Sequence, residues 1–597
     1  MQDEDPKKWR NLSELKLSKK DLKKSIKKAH GATTRHARKF LTKRIDNMRL
    51  AKRHIIGWLT LVGVVVLAIG VQVYYSSKSY ITEAPVVGGT YAEAVVGSIR
   101  TLNPLYASSE AELSAKKLIF SSLYDYDDRG FLRQDVASGF SVDETGKVYT
   151  VKIRDDVKWH DGAKLTAGDI VFTIGLIKNP AVRSSLNASW RDIAVVAVDE
   201  QTVRFTLPAA YAPFRHALTF AILPKHILKD VLPSVLRENT FSVAPVGSGP
   251  FSFQLLQTVD EDKQEKVVHL NGYNDYHRGA PRLSRFEIHG YDDIDDMKQA
   301  LDSGEVNGAS ELIDPDMSRL GSQYSVKHAP LSRGAYLLFN LQDGLLSQIE
   351  LRRALQLGTD TSALLKVIGN GVIALDTPFI KGQISGKEIV KPQYNLEGAA
   401  VLLDQAGWTM KGGVREKAGV PLNIAITTSK NALYSRVLDE LKQQWAKLGV
   451  RVEARVIDES TGTVSLVSDV LRPRDYQVLI REMDIGADPD VYAYWHSSQA
   501  GSDGLNFSGY RNPLADDNLS SARSRLDANL RNIKYRTFIN QWLSDVPAVG
   551  LYQPSISYVS HNKLTSFDQE INLPSAVDRY SNVIYWSVEK RPVYKTP

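Results

Sequence analysis

One uninterrupted apolar segment stands out from an otherwise mixed pattern of hydrophobic and polar positions. Residues 55–77 (IIGWLTLVGVVVLAIGVQVYYSS) are 23 consecutive positions without a charged side chain. Because a helix of about 20 apolar residues crosses the hydrocarbon core of a bilayer, the segment predicts a transmembrane helix over 55–77. The segment is longer than the apolar part of a usual signal peptide, and 54 residues precede it. Tyr74 and Tyr75 occupy the place where a cleavage site would lie. These features favour an uncleaved anchor over a cleaved signal peptide.

Beyond this segment, strand and helix patterns alternate, as in an α/β protein. Tyr149, Val151 and Ile153 alternate with polar residues and predict a half-buried strand. The next pattern predicts a helix that begins after Thr166, with Asp169 completing a capping box, and ends at 179–180 (Asn-Pro).

Two further helices are predicted near the middle of the chain. One begins at Asn395 and ends at Gly407. The other ends at Gly449 and leads into a strand. Its apolar positions recur at helical spacing, and those of the strand alternate on one face: Leu438, Leu441, Trp445 and Leu448, then Val450, Val452, Ala454 and Val456.

Charge is distributed unevenly on the two sides of the apolar segment. Residues 1–54 contain 18 Lys and Arg against 6 Asp and Glu, whereas the rest of the chain contains 57 against 62. Positive charge before a first helix predicts a cytoplasmic arm over 1–54 and, after a spacer over 78–90, an extracytoplasmic body. The arm is either a solvated tail or a basic helix on anionic lipid. The acidic body argues against a nucleic-acid partner.

Length and composition limit the body further. About 520 residues exceed what one hydrophobic core serves, so two or three lobes are expected. The chain has no cysteine, which excludes a disulfide framework, a thiolate zinc site and a cysteine nucleophile. No G-x-S-x-G, H-E-x-x-H or P-loop motif is present.

Three short motifs are interpreted as structural. WHD at 159–161 is predicted to be a turn, DDIDD at 292–296 to be an acidic helix start, and GSG at 247–249 to be a crossing that needs glycine for unusual backbone angles. We therefore predict that the protein is not an enzyme and that it has no catalytic residue, cofactor or protein-built metal site.

Several motifs, in order, resemble the extracytoplasmic solute-binding proteins of family 5, the oligopeptide- and dipeptide-binding components of ABC importers. The matching segments run from residue 90 to about 565: 101–107 (TLNPLYA), 137–174 (ASGFSVDETGKVYTVKIRDDVKWHDGAKLTAGDIVFTI), 243–251 (VAPVGSGPF), 271–288, 335–360, 487–499 (ADPDVYAYWHSSQ) and 504–519. No single motif decides the family, but their order and spacing together are specific.

The resemblance implies a three-lobe α/β clamp of the type II periplasmic-binding-protein kind, in which lobes I and III close around a ligand. It implies lobe I over 91–130, 216–332 and 546–597, lobe II over 131–215 and lobe III over 333–545, with a hinge near Arg333 to Leu341 and a return near 545–555.

Residues 481–499 (REMDIGADPDVYAYWHSSQ) are the best candidate for a ligand site. Carboxylates suit a ligand ammonium, and aromatic side chains wall a pocket without demanding one particular side chain. In peptide-binding relatives an Asp four residues before the Pro binds the ligand amino terminus; here Ile485 holds that position and Asp484 precedes it. The candidate ligand-binding residues are Asp484, Asp488, Asp490, Tyr494, Trp495 and His496 from this segment, with Asn340 from the hinge and Asn103 and Tyr106 from lobe I.

Together, the resemblance and the apolar segment predict a membrane-anchored substrate-binding protein, which we expect to be a monomer. It would capture a peptide and deliver it to ABC permease subunits served by cytoplasmic ATPases. Rival hypotheses are a surface sensor or adhesion protein that keeps the clamp, an anchored hydrolase with an unrecognised site, and a binding protein for nickel, haem or sugar.

Overall fold

The computed structural model describes residues 48–311, 321–369, 371–387, 389–568 and 572–594. Most of the predicted cytoplasmic arm, residues 1–47, therefore lies outside the described residues. The described chain forms two compact units, one of residues 48–84 with 592–594 and the other of residues 85–591.

The first unit is a long helix with a small ribbon. The helix spans Met48–Tyr80, and its segment His54–Tyr75 is long and apolar enough to cross a membrane. Apolar side chains within that segment are exposed, Trp58 to 68% and Leu67 to 69%. The strands Ile81–Pro85 and Lys590–Tyr594 pair in the ribbon. The helix thus includes the predicted span and continues into the predicted spacer.

In the second unit, a seven-stranded sheet draws on both ends of the body. Its strand Thr90–Val96 runs parallel to both neighbours, and the other pairs are antiparallel. The strand order is Tyr324–Pro330, Ser555–His561, Gly308–Ser310, Thr90–Val96, Arg285–Tyr291, Glu265–Gly272 and Phe251–Asp260.

A four-stranded antiparallel sheet shares its hydrophobic core with the seven-stranded sheet. Its order is Ala137–Val142, Val148–Ile153, Thr202–Thr206 and Ala194–Asp199. We call the two sheets and their connections, within residues 90–330 and 555–588, the terminal half. Its helices are Glu110–Ile119, Ala167–Lys178, Asn187–Trp190, Lys225–Leu228 and Ile294–Ser303, and a ribbon pairs Tyr124–Tyr126 with Leu132–Gln134.

A six-stranded sheet organises residues 333–553, which we call the middle half. Strand Arg333–Phe339 is apolar on both faces: Leu337 enters one core and Leu338 the other. The sheet order is Ile373–Ala374, Ala548–Gln553, Arg333–Phe339, Val478–Asp484, Asn423–Ser429 and Arg451–Ile457. A small sheet joins Thr409–Lys411, Val414–Lys417 and Val420–Pro421; the helices are Ile349–Leu357, Thr361–Ile368, Leu396–Gln405, Ala432–Ala446, Tyr492–Trp495, Pro513–Ser524 and Ala528–Asp545.

The chain crosses between the two halves at two adjacent places. It leaves the terminal half at 331–332 and returns at Pro554, and the Leu331 amide donates to the Pro554 carbonyl at 2.7 Å. The Ser332 carbonyl accepts from the amides of Ile485 and Gly486 at 3.0 and 2.9 Å, which ties the end of strand Val478–Asp484 to the crossing. Strand Ala548–Gln553 lies in the six-stranded sheet, although the sequence prediction placed it in the last part of lobe I.

The helices and strands expected from the sequence are present. Strand Val148–Ile153 buries Tyr149, Val151 and Ile153. The Asp169 carboxylate accepts from the Thr166 amide at 2.8 Å, and helix Ala167–Lys178 follows. Asn395 caps helix Leu396–Gln405 by accepting from the Gly398 amide.

The strand after Gly449 buries less than its pattern predicts. Strand Arg451–Ile457 lies at the edge of the six-stranded sheet. Val450 is buried, but Val456 is 43% exposed. An edge strand has a neighbour on one side only, which explains why the alternating face is only partly covered.

The three short motifs are structural parts of the fold. Trp159 is fully buried, and His160 hydrogen-bonds the amide of Gly247 and the carbonyl of Gly249 through its two ring nitrogens. The prediction was wrong about why glycine is needed. A Cβ on Gly247 would lie 1.9 Å from the Ile119 carbonyl oxygen, so the requirement is close backbone approach. Asp293 caps helix Ile294–Ser303 by accepting from the Asp295 amide.

Candidate functional site

A cleft lies between the terminal and middle halves. Its cavity has a volume of about 520 Å³. The terminal half contributes most of the lining, including Glu110 and Tyr126, whereas the middle half contributes Arg333, Asp484, Gly486 and Ala487. A cavity of this size, between two halves that each have their own hydrophobic core, is typical of a ligand-binding site.

Two strands of the middle half place their charged ends in the lining of this cleft. Arg333 begins strand Arg333–Phe339, Asp484 ends strand Val478–Asp484, and the antiparallel register pairs the two residues. Their side chains are 3.8 Å apart, from Arg333 Nε to Asp484 Oδ1. The strand ends therefore present one cation and one anion to a ligand.

Asp484 is the predicted site residue that faces the cavity. Its side chain is 66% exposed. Desolvation in the cleft raises the pKa of its carboxyl, and the Arg333 guanidinium opposes that shift. The backbone carbonyl of Asp484 accepts from the Tyr494 hydroxyl at 2.6 Å, so Tyr494 holds the strand end in place. An accessible carboxylate on a braced backbone is suited to bind a ligand cation.

Glu110 faces the cavity from the terminal half, at the first turn of helix Glu110–Ile119. A buried network supports it. Arg579 donates to Glu110 at 3.0 Å and to Glu93 at 2.9 Å, and the side chains of Arg579 and Glu93 are both fully buried. Tyr580 and Tyr558 donate to the same Glu93 carboxylate. Burial raises the pKa of Glu110 to about 7, against the lowering effect of Arg579.

Other charges in the lining are paired within the protein. Lys117 contacts both Asp125 and Asp578, and Arg133 contacts Asp125 at 3.0 Å. Burial alone would raise the pKa of Asp125, but Lys117 and Arg133 lower it to about 2. Arg278 lies 3.4 Å from the same carboxylate. These pairs give the wall a fixed pattern of charge of both signs.

The other two predicted carboxylates are engaged by arginines. Asp488 forms a bidentate pair with Arg531 at 2.8 and 2.5 Å. Asp490 pairs with Arg523 at 3.0 Å. Both aspartate side chains are about one tenth exposed, at 11% and 10%. The structure therefore separates them from Asp484, which alone of the three lines the cavity.

The predicted aromatic residues have packing roles. Trp495 is fully buried against Tyr336 and Trp542. His496 stacks on Tyr492, with ring centres 4.1 Å apart, and its side chain accepts from the Ser498 amide. Trp495 and His496 do not line the cavity as the structure describes it.

The remaining predicted residues also make contacts inside the protein. Asn340 donates to the carbonyls of Arg474 and Tyr476. Asn103 is buried and donates to Ser242. Tyr106 lies under the guanidinium of Arg237. In the described structure none of these three side chains lines the cavity.

Glu110 was missed by the sequence reasoning, and Arg333 was named only as the start of the hinge. Glu110 follows Ser109, whose capping box with Glu112 could have marked this helix start, but nothing in the sequence shows that it faces a cleft. Among the described residues, no group of three or more His, Asp or Glu side chains is placed to hold a metal ion.

Two halves joined by two adjacent crossings, with a charged cleft between them, define a clamp-type binding protein. The family is that of the bacterial extracellular solute-binding proteins, family 5, to which this chain belongs: the model of the family's middle region matches residues 132–504. The resemblance stated from the motifs is confirmed. Members of this family are non-enzymatic binding components of ABC transporters, so the predicted non-catalytic role is confirmed too.

Individual relatives agree with this assignment. The chain is 27% identical to the oligopeptide-binding protein AppA of Bacillus subtilis, over 82% of this chain and 92% of AppA. The structure of AppA in complex with a nonapeptide is similar, with a TM-score of 0.67, 24% identity and coverage of 84% and 99% of the two chains. NikZ of Campylobacter jejuni, solved with a nickel–histidine complex, has a TM-score of 0.68, 25% identity and coverage of 83% and 99%.

Proposed function

We propose that this protein is a membrane-anchored substrate-binding protein that captures peptides in the cleft and delivers them to an ABC permease. The observation that carries the proposal is the Asp484 carboxylate, which is accessible in the cavity and braced by its strand. A peptide brings an ammonium group, and a charge-assisted hydrogen bond to a partly desolvated carboxylate is among the strong polar contacts in proteins.

The surrounding cleft supports a peptide ligand further. Arg333, next to Asp484, offers a guanidinium to a ligand carbonyl or carboxylate. Gly486 and Ala487, also in the lining, present little side-chain bulk to a ligand. The similarity to AppA, an oligopeptide-binding protein, points to the same ligand class.

The proposed anchor is the helix Met48–Tyr80. Its segment His54–Tyr75 has the length and composition of a membrane span, and basic residues precede it. Anchoring would keep the body near the permease and raise its effective concentration there. After a carbonate wash, we expect the protein in the membrane fraction with its body accessible to external protease. A soluble protein lacking the first 75 or so residues would instead identify a cleaved signal.

Mass spectrometry of released ligands tests the peptide proposal. We expect peptides to be released when the full-length protein, purified natively in detergent, is denatured. After ligand removal, adding a peptide pool should raise the melting temperature, since a ligand at about 100 times its Kd stabilises the folded state by about 2.7 kcal/mol. Absence of both effects would reject a peptide ligand.

Delivery to a permease has its own test. Cells lacking this protein should take up labelled peptide more slowly, and the wild-type gene should restore uptake. Unchanged uptake, with peptide binding intact, would favour the sensor hypothesis.

A metal chelate is the second candidate ligand, favoured by the similarity to NikZ. Titrating nickel with and without free histidine checks it. If nickel with histidine gives a heat of binding and peptides give none, the ligand is a metal chelate and the peptide proposal is rejected.

A further inference from the structure

Beyond Ala487, the chain of the middle half leaves the cavity and meets the terminal half directly. Tyr126, which lines the cavity, hydrogen-bonds His216 Nδ1 at 3.0 Å. The other ring nitrogen of His216 lies 3.9 Å from Asp488, and Asp488 is held by Arg531. This chain of contacts, from Tyr126 to Arg531, spans the two halves at the edge of the cavity.

A second set of contacts spans the halves beside the first. The guanidinium of Arg523 lies between two aromatic rings, 4.8 Å from the centre of Tyr211 in the terminal half and 4.5 Å from that of Tyr492 in the middle half. Asp490 pairs with the same guanidinium. Cation–π contacts of this kind contribute about 0.5–2 kcal/mol each. We call Tyr211, His216, Asp488 and Arg523 the end wall.

The end wall is partly exposed: the side chains of His216 and Arg523 are 29% and 34% accessible to solvent. The end wall lies directly behind the cavity lining: His216 contacts the lining residue Tyr126, and Asp488 follows the lining residue Ala487. Weakening the wall should therefore loosen this edge of the cavity. The fully buried residue Trp495 belongs to a separate cluster in the middle half.

The volume of the cavity gives a length scale for a ligand that fits within it. A sphere of 520 Å³ is about 10 Å across, which an extended chain of about three residues spans. A fully extended nonapeptide is about 30 Å long. A long peptide would have to extend out of the cavity, and the end wall lies at one edge of the cavity.

We propose that the end wall selects ligand length, so that this clamp takes short peptides of about two to four residues and excludes longer ones. The inference rests on the proposed peptide function and specifies the substrate class of the same site. Arg523 and Tyr211 are the specificity-determining residues, because their contact bridges the halves without lining the cavity.

A length series of peptides tests the inference. Alanine-rich peptides of two to nine residues with free termini are titrated into the full-length protein in detergent. We expect the tripeptide to bind at least about tenfold more tightly than the nonapeptide, a difference of about 1.4 kcal/mol. Equal affinity for both lengths in the wild type would overturn the proposal without any variant.

Two variants and a control locate the effect. In Arg523→Ala and Tyr211→Ala, tripeptide binding should persist. The ratio of nonapeptide Kd to tripeptide Kd should fall to about threefold or less. Arg455→Ala, which removes a surface ion pair with Asp475, should keep the wild-type ratio. An unchanged ratio in the end-wall variants that still bind tripeptide would reject the role of these residues. Failure of every peptide length to bind would instead reject the proposed peptide function.

Discussion

Arg333 and Asp484 oppose each other across two antiparallel strands, one at the start of its strand and the other at the end, with 3.8 Å between Nε and Oδ1. At that distance the pair is a loose, solvent-exposed contact that contributes little to stability. A ligand ammonium can therefore reach the carboxylate without breaking a strong internal bond.

Replacing Asp484 with Asn should weaken peptide binding. A hydrogen bond to a charged group contributes about 1.5–3 kcal/mol, so affinity should fall about 10- to 100-fold. Titration calorimetry measures it. Asp475→Asn, at a surface pair in the same half, serves as the control and should leave affinity unchanged. An amino-acetylated peptide should bind wild type and Asp484→Asn equally; a preserved difference would exclude the ammonium role.

His160 should make stability depend on pH. Burial lowers the pKa of its imidazole to about 4, against an ordinary value of 6.5. The Gly247 amide donates to Nδ1, and a protonated Nδ1 could no longer accept. Stability supplied by the neutral ring is present above pH 6.5 and is lost as pH falls toward 4.

Chemical denaturation of wild type and His160→Gln at pH 7 and pH 5 measures this effect. Between the two pH values the wild type should lose about 1–2 kcal/mol more than the variant. Parallel loss in both proteins would show that His160 is not the titrating group.

Gly249→Ala should destabilise the terminal half. An added Cβ would lie 2.6 Å from the Leu118 carbonyl oxygen, a backbone atom that cannot move aside cheaply. Overpacking of this kind costs about 1–3 kcal/mol, which a thermal melt detects. Gly175→Ala is the matched control. It lies inside helix Ala167–Lys178, where the new Cβ would meet no atom within 4 Å other than its chain neighbours and the backbone of its own helix, and it should raise stability slightly. Equal effects of both changes would contradict the steric explanation.

Arg579→Met should be strongly destabilising. The change leaves Glu93 buried without its cation, and breaking a buried pair on one side costs about 3–5 kcal/mol. Denaturant unfolding should show a lower midpoint. Arg191→Met, at an exposed pair, should unfold like wild type. A small effect of Arg579→Met would mean that the hydrogen bonds from Tyr558 and Tyr580 are enough to satisfy Glu93.

Local patterns in the sequence were enough for the helices and strands that were predicted and for the position of Asp484 at the end of a strand. Period-two alternation and capping residues are local signals, and Asp484 stands at the end of an apolar strand in a carboxylate-rich segment. Asp488 and Asp490 share that segment, but their arginine partners come from helices that begin at Pro513 and Ala528. Only tertiary structure shows that these two carboxylates are paired with arginines.

Glu110 is a residue whose place in the cavity lining could not be predicted from local sequence patterns. Its position at a helix start could be predicted from Ser109 and Glu112, but its support comes from Arg579, 469 positions away. The aromatic residues after Asp490 were predicted to wall a pocket, and Trp495 instead fills a core with Tyr336 and Trp542. From the sequence alone, a large aromatic ring is as compatible with a pocket wall as with a hydrophobic core. Its burial in the structure decides between the two.

The Ser332 carbonyl, which holds the amides of Ile485 and Gly486, fixes Asp484 close to the line about which two such halves would rotate. Points near a rotation axis travel least. Asp484 is therefore expected to keep its surroundings whether the clamp is open or shut, whereas Arg523 and Tyr211 separate. For the proposed peptide ligand, recognition of the charged group would then precede enclosure between the two halves.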